Sequence, residues 1–186
     1  MKRMALGEWE RLGDESLLRY KVFHVRKSRR RSPRTGADIG FFLIDTADWV
    51  TVVALTTADE IVLVRQFRQG SERVAFEIPG GLIDPHETDP AVAAARELRE
   101  ETGYEAARLE LLGEMNPNPA MFSNRCHVFL ATGCRRVGGL AMDPGEDIEV
   151  VTVPLAELDE RIRRGEIEHA VVLGSLALWR ARGAAT

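Results

Sequence analysis

The pattern of apolar and polar positions along the 186-residue chain predicts a series of strands followed by two helices. Segments rich in β-branched and aromatic residues, bounded by turn formers, are predicted as strands at 49–56, 61–67, 74–78, 108–115, 126–133 and 148–153. Apolar positions at helical spacing predict helices at 154–164 and 170–182, and an alanine-rich segment that stops at Gly103 predicts a third. Strands around one central helix, with further helices at the end, indicate a mixed α+β fold rather than a parallel sheet of βαβ units.

The first 48 residues follow a different pattern, with a weakly alternating strand at 17–25 and a return strand at 40–45. The basic residues between them are Arg26, Lys27, Arg29, Arg30, Arg31 and Arg34. We interpret these as a solvated hairpin tip in preference to a contact with nucleic acid or polyphosphate. Because a two-stranded hairpin is marginal alone, we expect residues 1–48 to be a strand extension that joins two copies into a homodimer. Residues 49–186 are predicted to form the main domain.

Composition narrows the class of protein. Hydrophobic residues make up 45% and charged residues 29% of the sequence, which is typical of a soluble globular protein, and the net charge of −4 offers no broad basic surface for nucleic acid. No apolar run approaches the ~20 residues of a membrane span, and the first residues lack the apolar core of a signal peptide. Cys126 and Cys134 are interpreted as free buried thiols rather than a disulfide. We therefore expect a cytoplasmic protein without a membrane or nucleic-acid partner.

Three glutamates are the strongest candidates for functional residues. Glu97, Glu100 and Glu101 are separated by three and four residues on the alanine-rich segment, so a helix brings all three to one face. Like charges at these spacings repel one another, and Arg96 alone cannot neutralise three acids. Hard oxygen ligands clustered in this way suit Mg²⁺ or Mn²⁺. The sequence therefore predicts a divalent metal site on this helix, against the alternative of an ordinary solvated acidic helix.

The segment from Gly81 to Tyr104 resembles the Nudix box, written G-x5-E-x7-R-E-U-x-E-E-x-G-U with U aliphatic or aromatic. Its fixed positions are matched by Gly81, Glu87 and the run Arg96-Glu97-Leu98-Arg99-Glu100-Glu101-Thr102-Gly103-Tyr104. Eight residues, where the pattern has seven, separate Glu87 from Arg96, and we place the extra residue in the turn at 88–90. This insertion leaves open whether Glu87 contacts Arg96, as the resemblance implies.

Other segments resemble the branch of the family that hydrolyses ADP-ribose and nucleoside diphosphate sugars. These are 63–68, 76–84, the acidic loop 145–147 with the strand after it, and the N-terminal strand pair. The resemblance implies a Nudix α/β/α sandwich with a mixed sheet and an N-terminal β extension that pairs two subunits. It also implies metal-dependent hydrolysis of the diphosphate linkage, giving a nucleoside monophosphate and a sugar phosphate. The alternatives are a Nudix hydrolase of another nucleoside diphosphate or triphosphate derivative, and a non-catalytic ligand-binding Nudix module.

The same resemblance implies roles around the metal. Glu97 and Glu101 would be the principal metal ligands, Glu100 would complete or bridge the site, and the Gly80 carbonyl would supply another oxygen, while Arg96 and Glu87 would orient these groups. The general base is expected from an acidic loop late in the domain, where the candidates are Asp143, Glu146, Asp147 and Glu149. Glu146 is our choice, because Glu149 should fall within a strand.

Candidate substrate contacts lie outside the box. Arg68 resembles the phosphate-binding arginine of this branch, and the planar fork of its guanidinium suits phosphate oxygens. Arg65 is expected either to bind phosphate too or to face solvent. Trp49 is a candidate for stacking on a nucleobase, against the alternative of a core position. His127 is interpreted as a structural histidine, and His169 as a surface residue at the start of a helix.

Overall fold

The computed structural model describes residues 7–141, 145 and 147–183. The strands are β1 (Glu10–Arg19), β2 (Phe23–Arg31), β3 (Asp38–Thr46), β4 (Trp49–Thr56), β5 (Glu60–Arg68), β6 (Arg73–Glu77), β7 (Gly80–Leu82), β8 (Tyr104–Glu105), β9 (Arg108–Met115), β10 (Cys126–Arg136) and β11 (Ile148–Pro154). The helices are α1 (Pro90–Thr102), α2 (Leu155–Arg163) and α3 (Ala170–Gly183). The chain divides into two compact units: one runs up to Ala47 and includes Asn118–Asn124, and the other contains Asp48–Pro117 and the chain from Arg125 onward.

The larger unit is built on one mixed sheet. Its strands lie in the order β11-β5-β4-β10-β8, while β6 pairs with β5, β7 with β4 and β9 with β10. β4 and β10 run parallel, and the other pairs are antiparallel. The prediction of a mixed α+β fold is therefore confirmed.

Helices cover both faces of this sheet because alternate residues of β4 point to opposite sides. On one face the buried cluster contains Val50, Val52 and Ala54 of β4 with Ala93, Ala94 and Leu98 of α1. On the other face it contains Val53 of β4, Leu158 of α2, and Val172 and Leu176 of α3. These two clusters form the α/β/α sandwich, with α1 on one side and α2 and α3 on the other.

The smaller unit corrects the predicted N-terminal hairpin. It contains a three-stranded antiparallel sheet, β1-β2-β3, and the basic run up to Arg31 lies within β2 rather than at a tip, while Arg34 lies in the turn that follows. The run is stable in a strand because carboxylates on the neighbouring strands pair with it. Arg26 contacts Asp14 and Asp45, each at 2.7 Å, and Arg31 contacts Glu10 at 3.1 Å and Asp38 at 3.0 Å.

The local predictions for the larger unit agree with the structure to within a few residues. The predicted strands 49–56 and 108–115 coincide with β4 and β9, and the last two predicted helices correspond to α2 and α3. The three-residue strand β7 was not predicted. Among the residues described here, no helix combines the length and apolar character that a membrane span requires.

Candidate active site

The helix that carries the acidic residues has defined ends. Asp89 is its N-cap, and the Asp89 side chain accepts a hydrogen bond from the Ala91 N–H, while Pro90 occupies the first turn. Gly103 ends the helix with a φ of +73°, and its N–H donates to the Arg99 carbonyl. A side chain at this position would also overlap the Gly138 carbonyl, so glycine is required both for conformation and for space.

Two of the three carboxylates are buried against the Gly-Gly strand β7. Glu97 is 8% exposed and Glu101 is 4% exposed. The Gly80 N–H donates to Glu101 Oε2 at 2.9 Å, and a Cβ added to Gly81 would overlap the Glu97 carboxylate. The two glycines therefore let the backbone of β7 approach the carboxylates closely.

Arg96 donates hydrogen bonds to three of the acidic side chains. Its Nε and Nη2 donate to the two oxygens of Glu87 at 2.9 and 3.0 Å, and its Nη1 donates to Glu97 and Glu100 at 3.0 Å each. The hydrogen bonds from Arg96 hold the pKa of Glu87 below its ordinary value, and the same pair raises the pKa of Arg96. The extra residue in the preceding turn therefore does not prevent the contact between Glu87 and Arg96.

The donor set of this cluster fits a divalent cation by charge and by ligand type. Four carboxylates (Glu87, Glu97, Glu100, Glu101) and one guanidinium (Arg96) give a formal charge of −4 + 1 = −3. An uncompensated charge of this size in a partly buried site is costly, and hard carboxylate oxygens suit Mg²⁺ or Mn²⁺. Within the described part of the chain, no group of three or more His, Cys, Asp or Glu side chains could hold a metal ion as it stands. Metal binding would therefore require these carboxylate side chains to change their positions.

A cavity of about 370 Å³ extends from β7. Its wall includes Trp49, Arg68, Glu77, Gly80, Gly81 and His169. Gly80 and Gly81 belong both to this wall and to the surroundings of the buried carboxylates, so the cavity adjoins the acidic cluster. Of the predicted substrate-binding residues, the structure brings Trp49 and Arg68 to this cavity.

Arg65 does not lie in the wall of this cavity. Side chains alternate along β5, so Arg65 and Arg68 point to opposite faces of the sheet. Arg65 pairs with Glu149 of β11 at 2.8 Å, and both side chains are largely exposed. The structure therefore places Arg65 in a surface ion pair and does not bring it into the wall of the cavity.

Glu77 and His169 were not predicted as site residues. Glu77 is 3% exposed and accepts hydrogen bonds from Arg68 Nε and Nη2 at 2.7 and 2.8 Å, and His169 Nδ1 lies 2.9 Å from Glu77 Oε2. Burial raises the pKa of Glu77, but Arg68 and His169 outweigh it and lower the pKa to about 2. The segment that contains Glu77 was among those that resemble the family, but its spacing gave no indication that His169 would reach it.

The remaining predicted residues are placed as follows. Glu146 and Asp143 lie outside the described residues. Just before them, the Ala141 N–H donates to the Glu100 carbonyl at 2.9 Å, so Ala141 lies beside the C-terminal end of α1. His127 lies 3.6 Å from Asp48 and 3.5 Å from Glu114, in keeping with a structural role.

Both cysteines are free and buried, as predicted. Burial raises the pKa of each thiol to about 11, which keeps both protonated and unreactive at neutral pH.

Comparisons with known proteins give the site its context. An ADP-ribose pyrophosphatase of Mycobacterium tuberculosis is 31% identical over 93% of this chain and 84% of its own length. An ADP-ribose pyrophosphatase of Bacillus subtilis is 34% identical over 65% of this chain and 65% of its own length. A solved structure described as an ADP compounds hydrolase superposes with a TM-score of 0.83 at 26% identity, covering 96% of this chain and 95% of that chain.

The sandwich fold, the acidic helix and these relatives define a hydrolase that acts on phosphoric anhydrides. A sequence model of the NUDIX domain matches residues 46–173, and the chain belongs to the Nudix family. The resemblance read from the box is thus confirmed over most of the larger unit.

Proposed function

We propose that this protein hydrolyses the diphosphate linkage of ADP-ribose or a related nucleoside diphosphate sugar, releasing a nucleoside monophosphate and a sugar phosphate. The observation that carries the proposal is the shared position of Gly80 and Gly81. They line the 370 Å³ cavity and also contact Glu101 and Glu97, so a ligand in the cavity would lie beside the acidic cluster. The cavity falls in the range of ~300–1,000 Å³ that is typical of small-molecule sites.

The acidic cluster would hold a divalent metal, Mg²⁺ by preference with Mn²⁺ as an alternative. Glu97 and Glu101 would be the principal ligands, with Glu100 and the Gly80 carbonyl completing the set. When bound, the ion would neutralise diphosphate oxygens and lower the pKa of the water it binds. Arg96 would orient the ligating carboxylates, since it donates to two of them and is itself fixed by both oxygens of Glu87.

Arg68 would bind a phosphate oxygen of the substrate. Its guanidinium is fixed by the bidentate contact with Glu77, so little side-chain freedom is lost when a ligand binds. Trp49 offers an apolar ring in the same wall for a base or a sugar. The exposed pair of Arg65 with Glu149 supports the solvent-facing alternative for Arg65.

Glu146 is the proposed general base. It follows Ala141, whose N–H bonds to the Glu100 carbonyl, and precedes Ile148, which pairs with Gln66 of β5. Because Ala141 contacts α1 and Ile148 pairs with β5, we propose Glu146, between them in the sequence, as the carboxylate that activates water beside the diphosphate.

An activity panel tests the proposal. Purified protein with Mg²⁺ should release phosphate monoester from ADP-ribose or GDP-mannose faster than from a dinucleotide or a nucleoside triphosphate. A preference for the last two would favour a different Nudix substrate. No turnover of any compound, with binding retained, would favour a non-catalytic module and overturn the proposal.

The smaller unit supports a homodimer in solution. Its exposed large apolar side chains, among the residues described, are Trp9, Leu17, Leu18, Tyr20, Val22, Ile39, Phe41, Phe42 and Met121. Apolar surface of this extent is typical of an interaction site, and a C₂ partner is the commonest arrangement that covers one. Light scattering at micromolar concentration should give the mass of two chains, and a monomer would refute the dimer.

We also propose a cytoplasmic location. Two free, buried cysteines in a chain of 186 residues suit a reducing compartment. Cell fractionation that found the protein in an oxidising compartment would contradict this assignment.

A further inference from the structure

Glu77 is an unusual residue for the wall of an open cavity. Its side chain is only 4% exposed, yet the side chains that bond to it, Arg68 and His169, are 47% and 40% exposed. Burying a carboxylate is costly unless it is paired and hydrogen-bonded, and here each oxygen receives a charge-assisted bond. The buried acid therefore fixes two exposed donor groups in the same stretch of cavity wall.

His169 faces open space on either side of this carboxylate. It lines the 370 Å³ cavity together with Gly80, and a second cavity of about 460 Å³ shares Arg68, Glu77 and His169 in its wall. His169 lies at the start of α3, where its carbonyl accepts the Leu173 N–H. The backbone that carries the ring is therefore held by the helix.

The contact with Glu77 also fixes the tautomer of the ring. An ionised carboxylate only accepts hydrogen bonds, and the two hydrogen bonds from Arg68 to the oxygens of Glu77 favour its ionised form. Nδ1 therefore carries the hydrogen, and in the neutral ring Nε2 is a hydrogen-bond acceptor. No partner for Nε2 occurs among the residues that the structure describes.

A nucleoside diphosphate sugar offers few donors to such an acceptor. Its diphosphate carries none near neutral pH, so its donors are the hydroxyl groups of its two sugars and the N–H groups of its base. The hydroxyl groups are present in every nucleoside diphosphate sugar, whatever its base. We propose that Nε2 of His169 accepts a hydrogen bond from a sugar hydroxyl of the substrate, which makes His169 a specificity-determining residue. This inference rests on the proposed function, and it assigns sugar recognition to a residue distinct from Arg68 and the acidic cluster.

Two variants separate a direct contact from an indirect one. In His169→Asn the amide nitrogen can replace Nδ1 and keep the bond to Glu77, but nothing reaches the position of Nε2. In His169→Gln the longer amide reaches that position and can accept a hydrogen bond there. Loss of one hydrogen bond predicts that His169→Asn raises KM for ADP-ribose about tenfold, while His169→Gln stays within about threefold of wild type. The value of kcat should change by less than about twofold in both variants, because the contact is present in the ground state and the transition state alike.

A sugarless ligand separates the hydroxyl contact from a phosphate contact. Imidodiphosphate, used as a competitive inhibitor at fixed free Mg²⁺, should have the same inhibition constant for wild type and His169→Asn. A weakening that matches the change for ADP-ribose would show that His169 binds phosphate, and would overturn the assignment.

The control is His127→Gln. His127 also lies between carboxylates of the larger unit, Asp48 and Glu114, but it is not in the wall of either cavity. Its KM should match wild type. If His169→Asn also matched wild type while wild type turned over ADP-ribose, the inference would fail and the proposed function would stand. If wild type turned over none of the diphosphates, the proposed function itself would fail.

Discussion

The replacement Glu101→Gln tests the metal site through both activity and stability. Glu101 is 4% exposed and accepts the Gly80 N–H at 2.9 Å. Glutamine has the same shape and keeps an oxygen that can accept this bond, so no cavity and no unpaired backbone donor are created. The change removes one negative charge, taking the formal charge of the cluster from −3 to −2. The fold should therefore be as stable as wild type, or more stable, in metal-free buffer.

The expected effects of Glu101→Gln on turnover and on thermal stability can both be estimated. Loss of a principal metal ligand should lower kcat about a thousandfold, which corresponds to about 4 kcal/mol of transition-state stabilisation. A ligand that binds only the folded state at a hundred times its Kd adds about 2.7 kcal/mol to the free energy of unfolding. For a chain of this length, saturating Mg²⁺ should raise the wild-type Tm by about 5–10 °C. This rise should be small or absent in Glu101→Gln.

The assay combines ADP-ribose turnover with thermal unfolding in EDTA and in saturating Mg²⁺. Glu110→Gln is the matched control, because Glu110 is an exposed carboxylate of β9 that pairs with Arg108 at 2.7 Å. It should keep wild-type turnover and the full Mg²⁺-dependent rise in Tm. Near-normal kcat in folded Glu101→Gln, or an undiminished rise in Tm, would refute the metal assignment.

Three further changes probe other parts of the site. The pKa of Glu77 is lowered from 4.5 to about 2, so its stabilisation is complete above pH 4.5 and is lost as the pH falls towards 2. Denaturant unfolding of Glu77→Gln should show a loss of about 3 kcal/mol at pH 7 that shrinks over this range, and a constant difference would contradict the pairing. In Gly81→Ala the added methyl displaces the Glu97 carboxylate, so steady-state kinetics should show kcat/KM lower by about a hundredfold with the fold retained. Glu146→Gln should lower kcat far more than it raises KM, and Glu149→Gln serves as its control; a change in kcat below about twofold would exclude Glu146 as the base.

Local patterns were sufficient to predict most of the larger unit. The strand predicted at 49–56 coincides with β4, because a run of apolar β-branched residues bounded by turn formers has few other stable conformations. β7 was missed because three residues with two glycines carry no strand pattern of their own. It exists because Gly80 and Gly81 pair with Thr51 and Val50 of β4.

The smaller unit was predicted less well because its strands depend on charge pairing. β1 contains Gly13 and several charged residues, and does not alternate between apolar and polar positions. Some of its charges pair with the next strand only after the chain folds back, as in the contact of Asp14 with Arg26 twelve residues later. A pattern search along the sequence cannot recover pairing of this kind.

Contacts between distant residues also explain why part of the cavity wall was not predicted. Glu97, Glu100 and Glu101 lie on one helix, so helical spacing alone was sufficient to group them. His169 and Glu77 are 92 positions apart, and only the tertiary fold brings their side chains within 2.9 Å. A histidine at the start of a helix is ordinarily a surface residue, and nothing in the sequence distinguishes His169 from that ordinary case.

Arg96 cannot neutralise the acidic cluster, because all of its donors already have partners. A guanidinium has five N–H donors, and all five are used: two on Glu87, one each on Glu97 and Glu100, and one on the Leu82 carbonyl. Glu87 takes two of these bonds and is a fourth carboxylate in the cluster, beside Glu97, Glu100 and Glu101. Arg96 therefore has no further donor with which to balance the cluster. The remaining formal charge of −3 still requires a cation, and a divalent ion would offset two of these three charges at one position while binding carboxylate oxygens, the ligands it prefers.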